Sequence, residues 1–216
     1  TTTVAIGKKK KLIILEEIHF PHSLGLLYSA FTFYIGFKVN SGEYKLMGLA
    51  PYGKPIFKKL ILDKLLDLKE DGSFKLNMNY FDYVTGFKMT NNKFSELFNQ
   101  PVRDSKKDLL TQFHMDIAAS IQAVTEEIVL RITKSISQKY KIKNLCLAGG
   151  VALNCVANGK VLKEKIFENI WIQPAAGDAG GSLGAALAYW HHELGKPREE
   201  FKDQMHGSYL GPKFEN

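Results

Sequence analysis

The sequence predicts an α/β fold with long helices, and three observations carry that prediction. Residues 144–194 spell strand, small-residue loop and helix twice over, the pattern of an α/β layer. Apolar residues stepping by three or four predict one long helix from Asp108 to Tyr140. The first twenty residues form two apolar, β-branched segments around a lysine-rich turn, as a β-hairpin does.

In chain order, Thr1–Ile6 and Leu12–Phe20 are the hairpin strands, with Gly7–Lys11 between them. From Ser23, a residue type that caps helices, Leu26, Leu27, Ala30, Phe31 and Tyr34 recur at helical spacing as far as Gly36. Gly48, Pro51, Gly53 and Pro55 then fall within eight residues and predict a shaped loop with no regular element across 45–55. Residues 56–68 read as a helix, and Asp71-Gly72 turns into an alternating strand of Phe74, Leu76, Met78 and Tyr80. Residues 84–107 are polar and Asn-rich, so 56–107 are expected to form an insertion or cap.

The long helix carries Leu110, Phe113, Ile117, Ile121, Val124, Ile128, Ile132 and Ile136 on one stripe. It would span about 50 Å at 1.5 Å per residue. Small residues Ala118, Ala119 and Ser120 leave room there for a close neighbour. Asn144–Ala148 follows as a strand, Gly149-Gly150 as a turn and Val151–Lys163 as a helix. Ile170–Gln173 is the next strand, Pro174–Gly181 its loop and Ser182–Leu194 the last helix.

Composition narrows the function classes. With 216 residues, 45% hydrophobic and 24% charged, the chain is globular, not disordered, collagenous or coiled-coil. Its 29 basic and 22 acidic residues leave a net charge of +7, but Lys8–Lys11 is the only run of four and other cations alternate with acids, as in Lys163-Glu164-Lys165. A solvated hairpin tip explains that run, and no nucleic-acid partner is expected. Cys146 and Cys155 are too few for a four-ligand zinc site and suit a reducing compartment. No apolar run reaches the ~20 residues of a membrane span, and Thr1–Gly7 lacks signal-peptide order, so a cytoplasmic location without membrane contact is expected. No Walker loop, G-x-S-x-G elbow or C-x-x-C pair occurs, and none of the six histidines makes an i, i+4 metal pair. His114, on the long helix, is expected to be buried or to flank polar groups.

Two loops could carry chemistry. Leu147–Asn154 is a strand ending in paired glycines that open into a helix, where backbone can approach a ligand and free N–H groups can meet a phosphate. Asn154 adds an amide that donates and accepts. Gln173–Ser182 sets one carboxylate, Asp178, among small residues where open α/β sheets place ligands. Asp178 is suited either to ligate a divalent metal or to cap the next helix, and the residues leave both open. With two such loops about 25 residues apart, a shared crevice is expected.

Four blocks of the sequence, in order, carry a resemblance. They are Phe20–Ala30 (Phe-Pro-His-Ser-Leu-Gly-Leu-Leu-Tyr-Ser-Ala), Met47–Gly53 (Met-Gly-Leu-Ala-Pro-Tyr-Gly), Ala148–Asn154 (Ala-Gly-Gly-Val-Ala-Leu-Asn) and Gly177–Ala186. Together they resemble the O-carbamoyltransferases of the NodU and CmcH family over nearly the whole chain. The resemblance implies a lobe of the actin, hexokinase and heat-shock-ATPase fold (ribonuclease H-like), close to the proteins that make threonylcarbamoyl-adenosine in tRNA. It implies a carbamoyl-adenylate, made from carbamoyl phosphate and ATP, whose carbamoyl group passes to a hydroxyl of a sugar-type or natural-product acceptor. By residue-wise carry-over, Gly150 and Asn154 touch the adenosine, Gly149 and Val151 shape the loop, and Asp178 ligates an iron-type divalent metal.

The family's histidine metal motif does not occur within these residues. The resemblance therefore implies that 1–206 are the second lobe of the transferase domain and that 207–216 lead toward a further domain. The remaining parts of the same enzyme would be its partners, and the chain alone is expected to fold without turning over. The Pro-His-Ser-Leu-Gly and Met-Gly-Leu-Ala-Pro-Tyr-Gly blocks favour this branch over a tRNA threonylcarbamoyl-transfer protein or a non-catalytic nucleotide-binding module.

Overall fold

The computed structural model describes residues 1–198 and 212–214. Most of the segment expected to lead toward a further domain, residues 207–216, therefore lies outside the described residues, as does His206. The hairpin forms as predicted. β1 (Thr2–Lys8) and β2 (Lys11–Ile18) pair antiparallel, from Thr2 opposite Ile18 to Lys8 opposite Lys11, with an irregularity between Val4 and Ala5.

α1 (Leu24–Tyr34) starts where Ser23 Oγ accepts the Leu26 N–H at 3.2 Å. It buries Leu27, Ala30, Phe31 and Tyr34 almost completely. The stretch read as an irregular loop instead holds α2 (Glu43–Leu49) and a 3₁₀ turn, Ala50–Tyr52. Glu43 explains the helix, since its carboxylate accepts the N–H groups of Asn40 and Gly42 at the helix start. Pro51 falls in the first turn of the 3₁₀ segment, where its missing N–H costs nothing.

α3 (Lys58–Lys64) is shorter than predicted, because the chain straightens into β3 (Leu66–Leu68), which pairs antiparallel with β4 (Phe74–Leu76). The expected longer strand stops at Leu76. Asn77 caps a 3₁₀ turn, Met78–Tyr80, with its side chain. α4 (Asn92–Phe98) is capped by Asn91 and ended by Asn99 in the left-handed region at φ 51°.

Residues 56–107 share the principal core. Ile61, Leu65, Phe74, Phe81, Phe94 and Phe98 are buried together with residues of α1 and of the long helix. Phe94 meets Phe31 and Tyr34 edge-on at 5.1 and 5.0 Å.

α5 (Gln112–Tyr140) is the predicted long helix, beginning four residues later than expected. Thr111 and His114 set that start with a capping-box arrangement in which His114 Nδ1 accepts the Thr111 N–H at 3.0 Å. β5 (Asn144–Leu147) and β6 (Asn169–Ile172) pair in parallel, joined through α6 (Cys155–Lys163). Leu145, Val161 and Phe167 form a second, smaller core against α5. α7 (Gly180–Ala188) passes into a π turn, Tyr189–Glu193, rather than running on as one α-helix to Leu194.

The outer layer is unusually apolar. Leu12 and Ile14 of β2 are 65% and 58% exposed, and Leu187 and Trp190 stand out from α7 and the turn after it. Lys10 Nζ donates to the Gly195 carbonyl at 3.1 Å, which sets the hairpin tip beside the end of that turn. No helix among the described residues is long and apolar enough to cross a membrane.

Candidate functional site

The two loops expected to share a crevice do so at the carboxyl ends of β5 and β6. Gly149 has φ 99°, a backbone state that glycine adopts without strain. Its N–H donates to the Ala176 carbonyl at 2.7 Å, and the Gln173 N–H donates to the Leu147 carbonyl at 3.3 Å. These bonds stitch the loops together around an open crevice of about 460 Å³ lined by Ala148, Gly149, Gln173, Gly177, Asp178 and Gly181. That size is within the range of small-molecule sites. The Gln173 Oε1 atom is buried without a hydrogen-bond partner among the described residues, an acceptor left over in the crevice wall.

After the glycines the chain makes a 3₁₀ turn, Gly150–Leu153, and only then enters α6. Asn154 is therefore the residue that caps α6, not part of its first turn. Its Oδ1 accepts the Ala157 N–H at 3.0 Å. The side chain is buried against α5, where its amide pairs with that of Gln122: Asn154 Nδ2 donates to Gln122 Oε1 at 3.0 Å, and Gln122 Nε2 donates to Asn154 Oδ1 at 3.1 Å. Val151 packs on the principal core and lies 3.6 Å from where a Cβ on Gly25 would be.

Asp178 does not cap a helix. Ala179 is the residue before α7, and the Asp178 carboxylate is exposed with no hydrogen bond or ion pair among the described residues. No group of three or more His, Cys, Asp or Glu side chains gathers around it or elsewhere among the described residues. One carboxylate does not make a metal site, so these residues by themselves do not fit a bound metal.

The second block reaches the residue that follows this turn. Met47 Sδ and Cys155 Sγ are 3.9 Å apart, joining α2 to the start of α6. The Met47–Gly53 block is also fastened to the first turns of α5. Asp116 Oδ1 accepts the Lys54 N–H at 2.8 Å, and Gln112 Nε2 donates to the Tyr52 carbonyl at 3.2 Å. His22 Nδ1 accepts the Leu76 N–H at 3.1 Å and so ties the first block to β4.

A buried polar network stands behind the turn. Tyr28 donates to Gln122 Oε1 at 2.9 Å, Gln122 Nε2 donates to Glu126 at 3.0 Å, and Glu126 forms an ion pair with Lys160 of α6. Burial, with Glu126 nearby, pushes the Tyr28 phenol well above its usual range, so it remains a neutral donor. On the flank, Glu127 is raised by burial, but Lys58 and Arg131 outweigh that and hold it below its ordinary value.

Sequence reading missed Gln122 and Glu126. The available signal was their i, i+4 spacing within the buried, otherwise mostly apolar stretch of α5.

The sequence model of the family described as "Carbamoyltransferase N-terminus" matches residues 1–187. The chain belongs to that family. Among its relatives, the uncharacterized protein sll1178 of Synechocystis is 64% identical over 217 aligned residues, covering all of this chain and 35% of that protein. Nodulation protein NolNO of Sinorhizobium fredii is 36% identical across 96% of this chain and 29% of its own length. Nodulation protein NolO of Bradyrhizobium diazoefficiens is 37% identical across 92% of this chain and 34% of its own length. The chain thus spans about a third of the length of these relatives.

The four blocks that carried the resemblance lie within 1–187; the Gly149–Asn154 turn meets the first at Gly25, and Cys155, the residue after the turn, meets Met47 of the second.

Proposed function

We propose that the chain is a lobe of a longer O-carbamoyltransferase of the actin, hexokinase and heat-shock-ATPase fold. In this reading the crevice holds a carbamoyl-adenylate made from carbamoyl phosphate and ATP, and the carbamoyl group passes to a hydroxyl of a sugar-type or natural-product acceptor. The observation that carries it is the crevice between Ala148-Gly149, at the end of β5, and the Gln173–Gly181 loop, in a chain of the carbamoyltransferase family.

The residues act by binding and positioning. Gly149 and Gly150, without side chains, keep the approach to the crevice open, and Val151 anchors the turn to α1. Asn154 contributes by fixing the turn from behind. Asp178 is offered as one ligand of an iron-type divalent cation whose other ligands would come from outside these residues. Remaining parts of the longer protein would cover the apolar faces of β2 and α7. The chain alone folds but does not turn over.

Gly181→Leu tests the crevice. A Cβ on Gly181 meets nothing within 4 Å, so the fold tolerates a side chain that fills the crevice wall. In the longer protein, calorimetry with ADP should show at least tenfold weaker binding for the variant at an unchanged melting temperature. Equal affinity in both proteins removes the crevice as the nucleotide site, and carbamoyl transfer by the isolated chain removes the lobe assignment.

A further inference from the structure

Glu126 lies two side chains behind the Gly149–Asn154 turn and lines no part of the crevice. We infer that its carboxylate locks the Gln122 amide in the one orientation that matches the Asn154 cap, and so holds the turn: Glu126 is a positioning residue of the crevice.

Polarity selects the orientation. The amides of Gln122 and Asn154 each fit their space in two orientations of nearly equal shape, and only their partners select one. The Ala157 N–H is a donor, so it requires Asn154 Oδ1 on its side. The Tyr28 hydroxyl can donate or accept and selects nothing. The Glu126 carboxylate only accepts, so it requires Gln122 Nε2 to face it. Once Nε2 is there, Gln122 Oε1 faces Tyr28 and Asn154 Nδ2, and the Asn154 oxygen is left to take both Gln122 Nε2 and the helix cap. A flipped Gln122 would set oxygen against oxygen at both Glu126 and Asn154.

Water cannot step in to repair a flip. Tyr28, Gln122, Glu126 and Asn154 are 7%, 4%, 6% and 8% exposed. In this closed network the Glu126 acceptor at one end and the Ala157 donor at the other leave one arrangement in which both amides are satisfied. The same carboxylate pairs through its second oxygen with Lys160, so α6 is tied to α5 both at its cap and farther along its length. Asn158 Nδ2 then donates to the Ala152 carbonyl at 2.7 Å, passing the placement of α6 directly to the turn.

The chain from Glu126 to the turn stands on geometry. Its consequence for ligand binding rests on the proposed nucleotide crevice. Two readouts separate the two. The first is ¹⁵N NMR of the full chain. In wild type, Asn154 and Gln122 should each give one set of side-chain amide signals protected from exchange. Glu126→Gln, which keeps the shape but can present either N or O, should split or shift those signals and speed exchange of the Ala157 amide at least tenfold, with cooperative melting retained. Gln122→Met should produce the same loss at Ala157 by removing the relay in the middle.

Unprotected Asn154 signals in wild type overturn the inference without any variant, as do unchanged Asn154 and Ala157 signals in Glu126→Gln. The second readout is ADP affinity in the longer protein, expected to fall about tenfold in Glu126→Gln. A shifted amide signature with unchanged affinity overturns the positioning role. If wild type itself binds no ADP, the nucleotide reading fails, while the NMR readout still decides the relay.

Discussion

A Cβ on Gly53 would sit 2.0 Å from the carbonyl oxygen of Met115, so the backbone of the second block and the first turn of α5 touch with no room for a side chain. The obstacle is helix backbone, which cannot swing aside as a side-chain tip would. Gly53→Ala must therefore separate the segments and strain the Lys54–Asp116 bond. We expect a loss of about 3 kcal/mol, at the upper end of overpacking costs, read as a lower midpoint in urea unfolding with an unchanged slope. A wild-type midpoint would show that the contact relaxes freely.

Phe94 tests whether 56–107 is a cap or part of the core. Its ring lies against Phe31, Tyr34, Phe81 and Phe98, and it is fully buried. Phe94→Ala should cost about 4 kcal/mol and shift a single unfolding transition monitored by circular dichroism. Two transitions, only one of them moved, would mean that the segment folds as a separate cap.

These two residues also show what was legible beforehand. The glycine and proline spacing around Gly53 announced a constrained segment. It could not announce α2, because that helix depends on Glu43 reaching back to its own start and on Leu46 finding a pocket. Phe94 and Phe98 gave only one helical step in a polar, Asn-rich stretch, so their place in the aromatic core was invisible until α1 and α5 came to meet them. The crevice loops were legible because strand, glycine pair and helix are local signals. The inward role of Asn154 was not, since its partner Gln122 lies 32 positions away in sequence.

The Asp178 carboxylate is exposed and unpartnered among the described residues, so the fold asks nothing of it. Asp178→Asn should leave stability within about 0.5 kcal/mol of wild type. In the longer protein the same change should lower carbamoyl transfer at least tenfold and weaken its dependence on added divalent metal. Unchanged turnover would remove Asp178 from the proposed metal site.

His114 makes stability depend on pH in a definite direction. Burial, and then the nearby Arg103 charge, lower its pKa from 6.5 in the folded state. Its Nδ1 must also stay unprotonated to accept the Thr111 N–H at the start of α5. As pH falls below about 6.5, the unfolded chain takes up a proton at this position before the folded chain does, and the folded state loses stability. The contribution is fully present above that pH and is lost progressively toward the lower folded-state pKa. His114→Gln keeps an acceptor at the same capping position without a titrating group. Between pH 7 and pH 5 the wild-type melting temperature should therefore fall more steeply than that of His114→Gln, and parallel curves would show that the α5 cap does not carry the dependence.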